Sequence, residues 1–256
     1  MTTMTFAILG VPVTAHSKED ALARIQGWVT DRDRSRYVCV TGVHGLVEAS
    51  SDAQLRHIHQ TADLVVPDGR PVVWIGRALG VPVSPVRGID LTEALLHDAE
   101  RTGLSVFFYG SSSGTLSSIR INLAASHPDL KVAGFLSPPF RPLTNEERSD
   151  IVATISVAKP DLILVGLSTP KQERWMYEMA AYLQPVVMLG VGAVFDFLAG
   201  TKKPAPRWMH KVGCEWLFRL VTEPRRLGPR YARSIPLFLI RVLRERPSRV
   251  SLTASL

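Results

Sequence analysis

Cysteine is nearly absent from the chain: Cys39 and Cys214 are the two among 256 residues, far apart and outside any CxxC or Cys/His spacing. That excludes a disulfide framework and a zinc ribbon, and leaves both thiols as small core residues. The seven histidines form no HExxH, so no metalloprotease-type ligand pattern is expected. No apolar run approaches the roughly 18 residues that a membrane-spanning helix needs. The segment Met1 to Val13 has no basic start and reads as a first strand, not a signal peptide, so a cytoplasmic protein is expected. Internal repeats and low-complexity stretches are also missing.

What is present is a core and a lopsided charge. With 46% hydrophobic residues, the chain can bury a large α/β domain. Its net charge is +7, from 30 Lys and Arg against 23 Asp and Glu. Thirteen of those cations fall in residues 202–256 against Glu215, Glu223 and Glu245, so this segment is +10 and the rest −3. Such a tail calls for an anionic partner.

Short apolar runs alternate with helical patterns. Strands are expected at Phe6 to Leu9, Tyr37 to Thr41, Leu64 to Val66, Ser105 to Tyr109, Lys131 to Phe135, Asp161 to Val165 and, as the last, Val186 to Leu189. Helices fall between them: from Ser17, which reads as an N-cap, to about Asp31; over Leu46 to Ile58; from Pro71 to Gly80; from a capping box at Asp90 to Gly103; over Thr115 to Ser126 and Glu146 to Ala158; and from Pro170 to Tyr182. Strand-helix alternation predicts a Rossmann-like, doubly wound, mainly parallel α/β sheet. We divide it into a core over 1–200, with an N-terminal lobe to about 103 and a Rossmann-like half over 104–200, and a basic helical C-terminal appendage over 201–256. Between Tyr231 and Arg246 the appendage is an imperfect amphipathic helix that Pro236 is expected to break.

Candidate chemistry gathers at strand ends. Pro67-Asp68-Gly69 stops a buried strand with turn chemistry, so Asp68 projects where ligands meet α/β sheets. Asp-Gly after Pro is also an ordinary turn. His44 lies in a loop expected near Asp68. Gly110-Ser111-Ser112-Ser113-Gly114 joins a strand to a helix, where glycine admits a phosphate to the free N–H groups of a helix start. Gly190-Val191-Gly192 also follows a strand, but Phe195 replaces the third glycine of a dinucleotide fingerprint and no acid follows about 20 residues on, so no NAD site is expected. Gln172 and Lys171 open a helix after the Gly166 to Thr169 loop, a set suited to anions and hydroxyls. Asp31-Arg32-Asp33 has the spacing of a metal-holding sugar-transferase motif, yet among Arg32, Arg34 and Arg36 it reads as a solvated turn.

These stretches together resemble the WecG/TagA/CpsF family of glycosyltransferases, from about Val38 to Tyr231. The likeness is carried by Pro67-Asp68-Gly69, Arg87-Gly88-Ile89-Asp90-Leu91, Pro170-Lys171-Gln172-Glu173, Gly190-Val191-Gly192 with Phe195-Asp196, Glu215-Trp216-Leu217-Phe218-Arg219, and Glu223-Pro224-Arg225-Arg226. The resemblance implies inverting, metal-independent transfer of N-acetylmannosamine or a glucose-type sugar from a UDP-sugar to a polyprenyl-diphosphate-linked glycan, in surface polysaccharide or teichoic acid synthesis. It implies no cofactor. It makes Asp68 the general base and places Thr41, Gln172 and Arg87 at the substrate, Asp196 on the uridine side with Gly110, Gly166 and Gly192, and Arg219, Arg226 and Arg230 on the diphosphate. An anionic membrane surface is the expected partner of the tail, at the inner face of the cell membrane. Homo-oligomer formation is left open. Two departures stand out: Thr41-Gly42-Val43-His44 where the family has Thr-x-Asn, and Pro204-Ala205-Pro206 with Arg207 displaced where it has Arg-Ala-Pro. A nucleic-acid-binding tail is the alternative, but no recognition motif accompanies it and Ile235 to Leu243 is too apolar for a duplex-facing surface, so nucleic acid is not expected.

Overall fold

The computed structural model describes residues 3–14, 17–206, 209 and 213–252. The chain begins with β1 (Thr3–Ile8), β2 (Val11–Val13), α1 (Lys18–Asp31), β3 (Arg36–Thr41), α2 (Val43–Ser51), α3 (Ala53–Gln60), β4 (Leu64–Pro67), α4 (Arg70–Ala78) and α5 (Gly88–Thr102). It continues through β5 (Ser105–Gly110), α6 (Ser113–Ser126), β6 (Lys131–Leu136), α7 (Asn145–Ala158), β7 (Leu162–Gly166), α8 (Lys171–Met179), β8 (Val187–Gly190) and α9 (Val194–Leu198). The basic segment supplies α10 (Glu215–Thr222), α11 (Pro224–Arg244) and β9 (Ser248–Leu252).

Six strands form a parallel sheet in the order β4-β3-β8-β7-β5-β6. Residues alternate between its two faces, as the two-residue period of a strand requires. Tyr37, Cys39, Val65, Ile163, Val165 and Met188 enter one apolar core with residues of α2, α3, α7 and α8. Val38, Leu64, Val66, Phe108, Leu164 and Leu189 enter the other with α1, α5, α6 and α9. Both faces are covered, which is why strands such as Leu64–Pro67 are buried along their whole length and show no polar alternation. This is the doubly wound architecture expected from the sequence.

The first strand is not part of that sheet. β1 sits between β2 and β9 in a separate antiparallel sheet, with Phe6 paired to Val13 on one side and to Arg249 on the other. Val186 to Leu189 was expected to be the last strand; β9 is later, and its short run Ser248–Leu252 gives little periodic signal. Phe6 is fully buried, its ring seated where a Cβ on Gly76 would come within 2.6 Å, so the small sheet packs tightly on α4.

Other expectations are corrected locally. The helix expected over Leu46 to Ile58 is two, because Asp52 adopts extended backbone and caps α3 by accepting from the Leu55 N–H at 2.9 Å. α2 starts at Val43, so His44 and Gly45 are helical and not in a loop. α5 starts at Gly88 with Arg87 as N-cap and no side-chain cap, so Asp90 is no capping box; it pairs with Arg87 at 3.1 Å. Cys39 is buried as expected, whereas Cys214 is only half-buried, ahead of α10. α11 runs unbroken through Pro229 and Pro236. Each proline removes one helical N–H. The helix persists because Leu227, Ser234 and Phe238 are buried and Arg241 donates to Ser51 Oγ at 2.6 Å and to Ser50 on α2.

Candidate active site

The carboxyl ends of β3, β4, β5, β7 and β8 make the edge at which the chain collects its polar groups. β5 leads outward to β6, whereas β7 leads back to β8, so the direction of winding reverses between β5 and β7, the position at which such sheets bind ligands. A shallow hollow lined by Arg32, Lys159, Gln184 and Val186 lies at the opposite edge.

Asp68 follows the last residue of β4. Its N–H donates to Thr41 O at 3.0 Å, and Val86 N–H donates to Pro67 O at 3.0 Å, so neighbouring backbone fixes the turn. Gly69 has φ +87°, which lets the chain turn into α4 immediately after the carboxylate. Gly42 is constrained too, since a Cβ there would stand 3.0 Å from Asp68 O. Burial pushes the Asp68 carboxyl up to about 6, and Glu215 of α10 adds to the rise; Arg219 and Arg87 pull the other way. Glu215 and Arg219 of the basic segment thus lie within electrostatic reach of this carboxylate. Among the described residues, Nε of both Arg87 and Arg219 is buried without a partner.

Thr41 is buried beside Asp68, and its Oγ1 is 3.1 Å from His59 Nε2. His44 faces α11: burial lowers its pKa, Arg230 and Arg233 lower it further, and Glu48 opposes them. Arg230 itself is held below its ordinary value by burial and by Arg226. Trp216 and Tyr231 meet edge to face at 6.3 Å, tying α10 to α11.

Asp196 and Arg226 belong to one ion chain: Lys202 Nζ reaches Asp196 at 2.5 Å and Glu223 at 2.8 Å, and Arg226 donates to Glu223 at 2.5 Å. It links the start of α9 to the start of α11. Gly110 and Gly166 pack against each other, a Cβ on Gly110 standing 2.7 Å from the Gly166 carbonyl carbon and a Cβ on Gly166 2.6 Å from the Phe195 ring. Close packing thus requires glycine at both positions. Gly192 has φ +52° and lies against Gln172 Oε1.

Gln172 and Glu173 are both buried in the first turn of α8. Glu173 Oε1 accepts from Thr169 Oγ1 at 2.8 Å and from Gln172 Nε2 at 3.1 Å. The sequence reading assigned no role to Glu173 or His59. Glu173 adjoins Gln172 in the motif and could have been paired with it, whereas nothing marks His59, whose partner is 18 residues away. Arg36 holds the Asp33 carboxylate at 2.7 and 2.8 Å, in keeping with a solvated turn there. Arg207 lies outside the described residues. Among those described, no group of three or more His, Cys, Asp or Glu is arranged around a metal position.

A parallel doubly wound sheet with a carboxylate and arginines gathered at its carboxyl edge defines a Rossmann-like α/β enzyme. The model of the "Glycosyl transferase WecG/TagA/CpsF family" matches residues 6–251, and the chain belongs to that family. It is a glycosyltransferase. Among similar proteins is an N-acetylglucosaminyldiphosphoundecaprenol N-acetyl-beta-D-mannosaminyltransferase of Bacillus spizizenii, 27% identical over 215 residues, covering 84% of this chain and 81% of that protein. The protein of the same description from Staphylococcus aureus (strain NCTC 8325 / PS 47) is 28% identical over 241 residues, covering 92% and 91%.

Proposed function

We propose that the chain transfers a sugar, with inversion and without a metal, from a UDP-sugar to a polyprenyl-diphosphate-linked glycan, and that Asp68 is the general base. The observation that carries this reading is the setting of Asp68: a carboxyl pushed up to about 6 at the carboxyl end of β4, with Arg87 and Arg219 close enough to act on it. A base whose pKa lies near the working pH combines ionisation with proton affinity. Asp68 takes the proton of the acceptor hydroxyl as that oxygen bonds to the anomeric carbon. The bond from that carbon to the UDP oxygen breaks on the opposite face, and UDP leaves with the electron pair. Negative charge grows on the diphosphate, and Arg219 and Arg230, with Arg226 next to them, supply the compensating charge.

The names of the relatives support N-acetylmannosamine as the sugar and an N-acetylglucosamine-bearing diphosphoundecaprenol as the acceptor. His44, within electrostatic reach of Arg230, is assigned to the acceptor side. Gly110, Gly166, Gly192 and Asp196 are assigned to the donor nucleotide, near the reversal of winding between β5 and β7.

An acceptor on a lipid brings the enzyme to a membrane surface. No helix among the described residues is long and apolar enough to cross one. α10 and α11 nevertheless expose Trp216, Leu217, Val221, Leu239, Ile240 and Leu243 among their arginines, a composition suited to the anionic inner face of the cell membrane. The reading is tested by incubating the protein with a panel of UDP-sugars and a polyprenyl-diphosphate N-acetylglucosamine acceptor. A product heavier by one sugar residue, an N-acetylhexosamine where the donor is UDP-N-acetylmannosamine, with UDP released, is expected; no extension of the acceptor with any UDP-sugar would overturn it.

A further inference from the structure

Beneath the edge of β3 and β8 lies a buried polar cluster with two acceptors unmet. Gln172 is 3% exposed and Glu173 1%. Glu173 Oε1 takes two donors, Thr169 Oγ1 at 2.8 Å and Gln172 Nε2 at 3.1 Å. An amide has one donor end and one acceptor end, so fixing Nε2 on Glu173 turns Oε1 the other way. That oxygen faces Gly192, where a Cβ would stand 3.2 Å from it, beside Ser168. Gln172 Oε1 and Glu173 Oε2 are both buried without a partner among the described residues. Native proteins seldom leave such atoms unmet, so each one calls for a donor. A side chain at Gly192 would crowd that oxygen.

Thr41, at the end of the neighbouring strand, has the same polarity. His59 Nδ1 lies 2.9 Å from Leu55 O, which only accepts, so Nδ1 carries the ring proton. In the neutral ring Nε2 then accepts from Thr41 Oγ1 at 3.1 Å. The Thr41 hydroxyl proton is committed inward and its lone pairs remain.

We propose that Glu173 is a positioning residue: it turns the Gln172 amide so that its oxygen meets a hydroxyl or amide N–H of the sugar, and the cleft wall formed with Thr41 reads hydrogen-bond donors. This rests on the reading above that Gln172 lines the substrate cleft. Steady-state kinetics with the UDP-sugar and the lipid-linked acceptor varied separately provide the test. Glu173→Met keeps the length but removes the acceptor that holds Gln172 Nε2, so the KM of one substrate should rise about tenfold, while kcat and the other KM stay within about twofold. Gln172→Ala should raise the same KM, and the double variant should be no worse than Gln172→Ala, because one residue acts through the other. Should Glu173→Met fail to fold, Glu173→Asp, which keeps the charge but withdraws it, should raise that KM as well. Unchanged KM values in folded Glu173 variants, with Gln172→Ala impaired, would overturn the positioning role and leave the cleft assignment standing. An unaffected Gln172→Ala would remove Gln172 from the cleft, and the proposal with it.

Discussion

The N–H of Asp68 donates to the carbonyl of Thr41 at 3.0 Å, joining the ends of two adjacent parallel strands at the point where one carries a carboxylate and the other a hydroxyl. A rigid sheet thereby holds both groups in fixed register. The loop chemistry around them, Gly42 behind and Gly69 ahead, exists to let the backbone pass at that distance.

The charge state of Asp68 sets the first expectation. A base works only when ionised, so kcat/KM should climb with pH and level off above a midpoint near 6, where burial has placed this carboxyl. Arg219 pulls that value down. In Arg219→Ala the midpoint should move above the wild-type position, and kcat should fall by about 10 to 10³-fold as charge on the leaving diphosphate loses a partner. A pH profile with an unmoved midpoint would separate Arg219 from Asp68.

Stability should change in the opposite sense to activity. The folded-state pKa of Asp68 is raised above its ordinary 3.8, so the folded protein binds the extra proton more tightly than the unfolded chain. Below about pH 4 the group is neutral in both states and costs nothing; as pH rises toward about 6 the cost of a buried charge appears, and it is complete above that. Asp68→Asn should therefore be more stable than wild type at pH 8 by on the order of 1–3 kcal/mol, with the difference vanishing near pH 4. Urea unfolding at the two pH values checks the sign.

Much of this arrangement is legible in the sequence. Buried strands such as Leu64–Pro67 and the turn residues after them give the sheet and place Asp68, because apolar periodicity and Pro-Asp-Gly chemistry are local signals. The pairing of β1 with β9 was not legible, since contact between the two ends of a chain has no local signature. Nor was the continuity of α11, where packing on α2 overrides Pro229 and Pro236. At the site, the motif residues were readable one by one, but Glu215 acting on Asp68 and His59 on Thr41 depend on folding distant segments together.

Gly166 offers a purely structural test. A methyl group there would meet the Phe195 ring at 2.6 Å, with β5 and Gly110 packed on the other side. Gly166→Ala should cost about 1–3 kcal/mol, and Gly166→Ala with Phe195→Leu should recover part of that loss. Equal thermal midpoints for wild type and Gly166→Ala would contradict the packing.

The exposed apolar side chains of α11 predict surface binding. Leu239 is 57% and Leu243 78% exposed. Leu239→Ser/Leu243→Ser should weaken binding to anionic vesicles by roughly tenfold or more while leaving UDP-sugar binding unchanged, and added salt should weaken both proteins. Equal sedimentation with vesicles for wild type and the double variant would contradict membrane docking by this face.

Asp68→Ala asks whether this carboxylate takes the proton of the acceptor hydroxyl. UDP-sugar binding and turnover on the lipid-linked acceptor should be measured on the same folded sample. Donor affinity within about twofold of wild type and turnover lower by about 10² to 10⁴-fold are expected. Turnover equal to that of the wild type would contradict that role.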